Sequence, residues 1–395
     1  MKRIYVDNAA ATPVSTVAQN AAIEATKKFS GNPSAIHKEG RVARAVLEGA
    51  RAEIATAISA RPDEIVFTSG ATEANNVAIV GVVRAARARG VKRPHVIVSA
   101  IEHPSVLEVA RVMEAEGARV DCLSVDIRGL IDTKELRKII TPDTVLVSIM
   151  YANNEIGTIE PITDIAKEIR HTRKVNSSMY PYFHTDAAQA VNYLDINVLR
   201  LGVDMMTISS GKTYGPRGIS ALFVKRGVQM IPLMYGGEQE DGRRAGTEAT
   251  ALAVGFATAL TEARKMSEKE GKRVGKLRDM LATKILNKIS GVSINGDFTY
   301  SLPNILNISF EGVESEALVL YLDAAGIAVS GKSACKSSDG GPSHVILAIG
   351  KVGEKEAGAI RFSLGRDTKS EDITRVANEV IRLVPTLRAM QANSN

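Results

Sequence analysis

Between Glu64 and Val224, seven short apolar runs alternate with longer segments of helical period, and this alternation restricts the fold more than any other feature. The runs are IVFTS (65–69), HVIVSA (95–100), RVDCLSV (119–125), TVLVSIM (144–150), YFHTD (182–186), VDMMTIS (203–209) and ISALFV (219–224). Between them lie helical segments such as EANNVAIVGVVRAARA and PSVLEVARVMEAEG. Strands that alternate with helices predict an α/β fold, a mainly parallel seven-stranded sheet flanked by helices. With 395 residues the chain exceeds one small core, so a second unit is expected. Past a long helical stretch that begins near Thr250, the pattern changes to NILNISFEG, a helix from about Ser315, GIAVSGKSAC and AIRFSLG, which reads as a smaller α/β unit. The expected division is a large domain over residues 14–262 and a small one built from residues 1–13 and 263–395, meeting inside a helix near 260–265.

Composition narrows the function classes. Hydrophobic residues make up 45% and charged residues 24%, an ordinary globular balance. The net charge of +6 comes from 50 basic and 44 acidic residues that are interspersed, and only 4% of residues are aromatic. That pattern favours acidic partners mildly and argues against nucleic-acid binding. MKRIYVDNAAATPVS carries no apolar run after its basic residues, and no stretch reaches the ~18 apolar residues of a membrane span. A cytoplasmic protein is expected. The two cysteines, Cys122 and Cys335, form neither a disulfide framework nor a metal-ligand spacing. Cys122 alternates with apolar neighbours in RVDCLSV and is expected to be a buried strand residue. Cys335 lies in SGKSACKSSDGG, which reads as a mobile exposed loop, and the nearby Lys332 and Lys336 favour its reactive thiolate.

Open α/β sheets collect ligands at the carboxyl ends of their strands. Thr72, His103, Asn154, Asp186 and Lys212 each follow a strand candidate. Thr72 sits at a helix start in VFTSGATEANN, where it either caps the helix or helps bind an anion. Asp186 ends an apolar run, as an N-cap or as a buried carboxylate that needs a partner. Lys212 is fenced by small residues in SSGKTYGPRG. An amine, a carboxylate, a phosphate cradle and a ring cover are what pyridoxal phosphate requires.

The motifs YVDNAAATPVS, GNPSAIH, FTSGATEANN, IEHPSVL, NNEIGTIEPI, HTDAAQA, SSGKTYGPRG, GRRAGTE, SACKSS and IRFSLGR together resemble the cysteine desulfurases of the NifS/IscS type, in the class V aminotransferase group of fold-type I pyridoxal phosphate enzymes. The resemblance runs in order over nearly the whole chain. It implies that Lys212 carries pyridoxal 5′-phosphate through a Schiff base and that Asp186 pairs with the pyridine nitrogen. Gln189 and Asn154 would hydrogen-bond around the phenolic oxygen and the substrate, while His103 would cover the ring and relay protons near neutral pH. Thr72 and Ser209 would bind the phosphate, with Thr247 reaching it from the other subunit of a homodimer, and Ala71 would also contact the cofactor. Arg361 matches the arginine that clamps the substrate carboxylate, and Asn32 a substrate-contacting position. Cys335 would take sulfur from L-cysteine as a persulfide, release L-alanine, and pass the sulfur to an iron–sulfur scaffold protein or another acceptor. Members of the family usually carry a histidine directly before the lysine; here it is Gly211. The loop from Ser333 to Pro342 has the length of the IscS-like branch, with Gly340 and Gly341 in place of the usual hydrophobic-acidic pair.

Rival readings are weaker. GIAVSGKS (326–333) satisfies the P-loop pattern, but its middle residues look like a strand and no helical pattern follows at once. SGATEANNVAIVG lacks the glycine fingerprint of a dinucleotide site. Within the family the alternative is a selenocysteine lyase or another β-eliminating lyase.

Overall fold

In the computed structural model, residues 3–331, 343–351 and 358–392 are described. The strands are β1 (Ile4–Tyr5), β2 (Ile65–Thr68), β3 (His95–Ser99), β4 (Arg119–Leu123), β5 (Thr144–Ser148), β6 (Tyr182–Asp186), β7 (Met205–Ser209), β8 (Ser220–Val224), β9 (Val292–Ile294), β10 (Ile305–Phe310), β11 (Ile327–Ala328) and β12 (Ile360–Ser363). The helices are α1 (Thr16–Lys28), α2 (Lys38–Ile58), α3 (Ala71–Ala88), α4 (Pro104–Ala115), α5 (Thr133–Ile139), α6 (Ile162–Val175), α7 (Val198–Leu201), α8 (Thr250–Leu286), α9 (Ser315–Ala324), α10 (His344–Ala348) and α11 (Ser370–Ala392).

All seven apolar runs are strands of one sheet, in the order β2-β8-β7-β6-β5-β3-β4. Pairings from β4 across to β7 are parallel, and β8 runs antiparallel to both neighbours. Successive side chains alternate between faces. Ile65, Phe67, Ile97, Phe183, Met206 and Phe223 pack with α2, α6 and α8, whereas Val66, Val96, Val98, Tyr182, Met205 and Leu222 pack with α3 and α4. Burial on both faces explains why these strands read as continuous apolar runs.

The edge strand departs from expectation. Cys122 is exposed, not buried, because β4 borders only β3 and only Leu123 in it is fully buried. Periodicity alone does not tell an edge strand from a central one.

Helix α8 spans 37 residues and serves two cores. Its Ala253, Phe256, Ala257 and Leu260 belong to the core under the large sheet, and its Val274, Leu281, Ala282 and Ile285 to a second core around β10, β12 and α11. The antiparallel sheet β12-β10-β9 lies in that second unit. The amino-terminal segment joins it: β1 pairs with β11, and the Asn8 and Ser363 backbones bond at 3.1 Å. No helix among the described residues is long and apolar enough to cross a membrane.

Two features fix the loops around the strand ends. Arg51 and Glu240 form a buried bidentate pair at 2.6 and 2.8 Å, with the Phe67 N–H donating to the same carboxylate. It holds the 238–248 segment, where Glu240 and Asp241 both take left-handed backbone angles, a conformation that such residues keep only when their surroundings enforce it. Glu102 is wholly buried, and its Oε1 accepts from the Ser99 hydroxyl at 2.6 Å and the Met150 N–H at 2.7 Å. Burial raises the carboxyls of Glu102 and Glu160 to about 8. In the unfolded chain each titrates near the ordinary ~4.3, so the folded state holds extra protons between those values. This contribution to stability is complete below the unfolded value and is lost as pH rises through about 8. Urea unfolding followed by circular dichroism is therefore expected to show stability falling from about pH 5 to pH 8, with a shallower fall in Glu102→Gln. An unchanged slope in that variant contradicts the assignment.

Candidate active site

A cavity of about 300 Å³ opens where β2, β3, β5, β6 and β7 end. Thr72, His103, Asn154, Asp186 and Lys212, the five residues placed after strands by the sequence, all line it, together with Ala71, Gln189, Ser209 and Arg361. A larger cavity of about 880 Å³ lies between α2 and the 238–248 segment; glutamates, aspartates and arginines dominate its charged lining, and it contains no lysine or histidine. The varied chemistry converges in the smaller one.

The SSGKTYGPRG stretch turns sharply as β7 ends. Ser210–Lys212 form one 3₁₀ turn, Tyr214 has φ +58°, and a Cβ on Gly215 would lie 2.3 Å from the Ser210 hydroxyl oxygen. The turn drives Lys212 into the cavity, where its Nζ donates to the Ala9 carbonyl at 2.8 Å and to that of Ala10. Gly211 is not a steric necessity. A Cβ there would meet only Arg217, at an ordinary 3.7 Å.

Asp186 closes β6 with 6% of its surface exposed. Its Oδ1 accepts from the Ala188 N–H at 2.9 Å and its Oδ2 from the Asn75 amide at 2.7 Å. It caps no helix, since the residues after it form turns. His103 caps α4 through its ring. Burial pulls its pKa below the ordinary value; Asp186 opposes that, and Lys212 and His344 add to it.

Helix α3 starts without a side-chain cap, because its N-cap is Gly70. Thr72 is the second helical residue and not the cap, so the backbone N–H groups of Ala71 and Thr72 face the cavity end of the helix dipole. Gln189 donates to the Ala9 carbonyl at 2.9 Å. Arg361 is 4% exposed and donates to the Asn154 carbonyl at 2.8 Å and the Asp7 carboxylate at 2.7 Å, while its Nε has no partner among the described residues.

Other expected positions stand apart. Asn32 is exposed, its Oδ1 accepting from the Ser34 N–H, and it does not line the cavity. Thr247 borders a separate recess with Thr68 and Arg244; Arg244 pairs with Glu73 of α3 at 2.8 Å. Cys335, with the whole Ser333–Pro342 loop, falls outside the described residues. Residue-by-residue reading did not single out Asn75, Ser105 and Asp7. Asn75 lies one turn beyond Thr72 on the same face of α3, a spacing that points it to the same end of the sheet.

The class-V aminotransferase family model matches residues 4–376. The chain is 43% identical to cysteine desulfurase IscS of Dictyoglomus turgidum over 391 residues, 99% of this chain and 97% of the relative. It is 41% identical to the cysteine desulfurase of Homo sapiens over 99% of this chain and 83% of that one. A solved NifS-like protein superposes with a TM-score of 0.89 at 32% identity, covering 98% of this chain and all of the other. SspA in complex with cysteine superposes at 0.79 and 35% identity, over 91% and 98% of the two chains. With its fold, motif order and full-length similarity in agreement, the chain belongs to the class-V aminotransferase family, among its cysteine desulfurases of the NifS/IscS type.

Proposed function

We propose that the chain removes sulfur from L-cysteine, using the Lys212 cavity to hold pyridoxal 5′-phosphate and Cys335 to receive the sulfur. The observation that carries this reading is the convergence of an amine, a carboxylate, an uncapped helix start and an arginine in one cavity. The donor set fits the cofactor group by group. Lys212 supplies the amine, Asp186 the carboxylate for a protonated ring nitrogen, and Ala71, Thr72 and Ser209 the donors for a phosphate. When bound, the cofactor supplies an electron sink for charge that develops at the substrate α-carbon.

The chain's own groups divide the remaining work. Asn75 and the Ala188 N–H hold Asp186 in place. Arg361 keeps N–H groups beyond those used by Asn154 and Asp7, enough to bind an amino acid carboxylate through its planar fork. The Lys212 Nζ, steered by the Ala9 and Ala10 carbonyls, carries the α-proton. The Cys335 thiolate attacks the substrate sulfur: a sulfur–sulfur bond forms as the carbon–sulfur bond breaks, and alanine leaves after protonation. The persulfide then serves an acceptor such as an iron–sulfur scaffold protein. Thr247 lies outside its own chain's cavity, which supports a homodimer in which it completes the partner's phosphate site. SspA, a structural relative, binds cysteine in its solved complex, which supports cysteine as a substrate here.

Purified protein given L-cysteine and a thiol reductant is expected to yield sulfide and alanine, with both abolished in Lys212→Ala and sulfide lost in Cys335→Ala. Sulfide output unchanged in Cys335→Ala overturns the persulfide route. Thr247→Ala is expected to weaken pyridoxal 5′-phosphate binding by roughly 10- to 100-fold, the loss of one hydrogen bond to a charged group. Absorbance titration measures it, and an unchanged affinity contradicts the shared site.

A further inference from the structure

A hydrogen-bonded chain runs from Asp186 to His103 through two residues that no motif singled out individually. The Asn75 amide nitrogen lies 2.7 Å from Asp186 Oδ2 and 2.9 Å from the Ser105 hydroxyl oxygen. Ser105 Oγ lies 2.8 Å from His103 Nδ1, and the Ser105 backbone N–H donates to the same nitrogen at 3.1 Å. Asn75 has no exposed surface and Ser105 is 8% exposed.

Donor and acceptor roles along this chain follow from one end. A carboxylate only accepts, so Asn75 must turn its NH₂ group to Asp186. The same NH₂ also donates to Ser105 Oγ, an oxygen that keeps its own proton for a further partner. A backbone N–H can only donate, and that of Ser105 points at Nδ1. Nδ1 therefore carries no proton, and the Ser105 hydroxyl 2.8 Å away must donate to it, sharing its one lone pair with the backbone N–H. We infer that Asn75 and Ser105 are positioning residues that fix His103 with its proton on Nε2, so that it meets a ligand in the cavity as a hydrogen-bond donor and not as a base.

The surroundings act in the same direction. The amino-terminal end of α4, which His103 caps, disfavours positive charge on the ring. Lys212 from the 3₁₀ turn and His344 from α10 also oppose it, while Asp186 from β6 favours it. A charged ring would present an Nδ1–H to the Ser105 N–H and break the cap. The α-proton then belongs to Lys212 alone, and His103 orients or polarises what Nε2 touches. That consequence for turnover rests on the desulfurase reading; the tautomer does not.

The test is a long-range ¹H–¹⁵N correlation spectrum of the full-length, ¹⁵N-histidine-labelled chain, recorded with and without pyridoxal 5′-phosphate. The chain has six histidines, and His103→Gln identifies the signal. The expected result is an unprotonated Nδ1 and a protonated Nε2 at pH 7.5, with ring titration below the ordinary histidine range. Ser105→Ala and Asn75→Ala are each expected to raise that titration by up to about one pH unit, the worth of one hydrogen bond, and Ser105→Thr to keep the wild-type value. An Nδ1-protonated or charged ring in the wild type overturns the inference, as does a Ser105→Ala titration identical to wild type. Because the spectrum does not depend on cysteine turnover, its failure is distinguishable from failure of the sulfide assay.

Discussion

A strand buried on both faces hides most of its side chains, and in an open α/β sheet the residues at and just beyond its carboxyl end are the ones placed to meet a ligand. In this sheet the ladder from β4 to β7 is parallel, so the chain emerges from β3, β5, β6 and β7 at the same edge, and β2, antiparallel to β8, emerges there too. Polar residues that the core excludes are forced together at that edge. The cavity is thus a consequence of strand direction, and its chemistry depends on which residue each strand delivers.

The amino-terminal segment adds one wall of the cavity at that edge. β1 is anchored in the second core by pairing with β11, and the residues just after it cross to the cavity, where Ala9 and Ala10 receive the lysine amine. Asp7 reaches Arg361 across 354 residues of sequence. Both units therefore contribute to one site, and the long helix α8 packs into both cores. Relative movement of the two units would move Arg361 and the Ala9 carbonyl against Lys212.

Much of this was legible because the signals were local. The seven runs became the seven strands, and Thr72, His103, Asn154, Asp186 and Lys212 met in one cavity because each followed a run. Cys122 was misread because an edge strand has the same alternation as a half-buried central one. The cap at the start of α3 is Gly70 and not Thr72, since a glycine gives no side-chain signal. Asn75 and Ser105 look like ordinary helix residues, and Asp7 pairs with a residue of a distant strand; their roles come from hydrogen bonds that only the folded chain defines. The Cys335 loop lies outside the described residues, so its role rests on sequence and family.

In the proposed function one amine, that of Lys212, is the covalent anchor of the site. Borohydride reduction of the protein loaded with pyridoxal 5′-phosphate, followed by peptide mass spectrometry, tests it most directly. A pyridoxyl group on the peptide containing Lys212 is the predicted result. Stable labelling of a different lysine, or of none in saturated protein, would contradict the account.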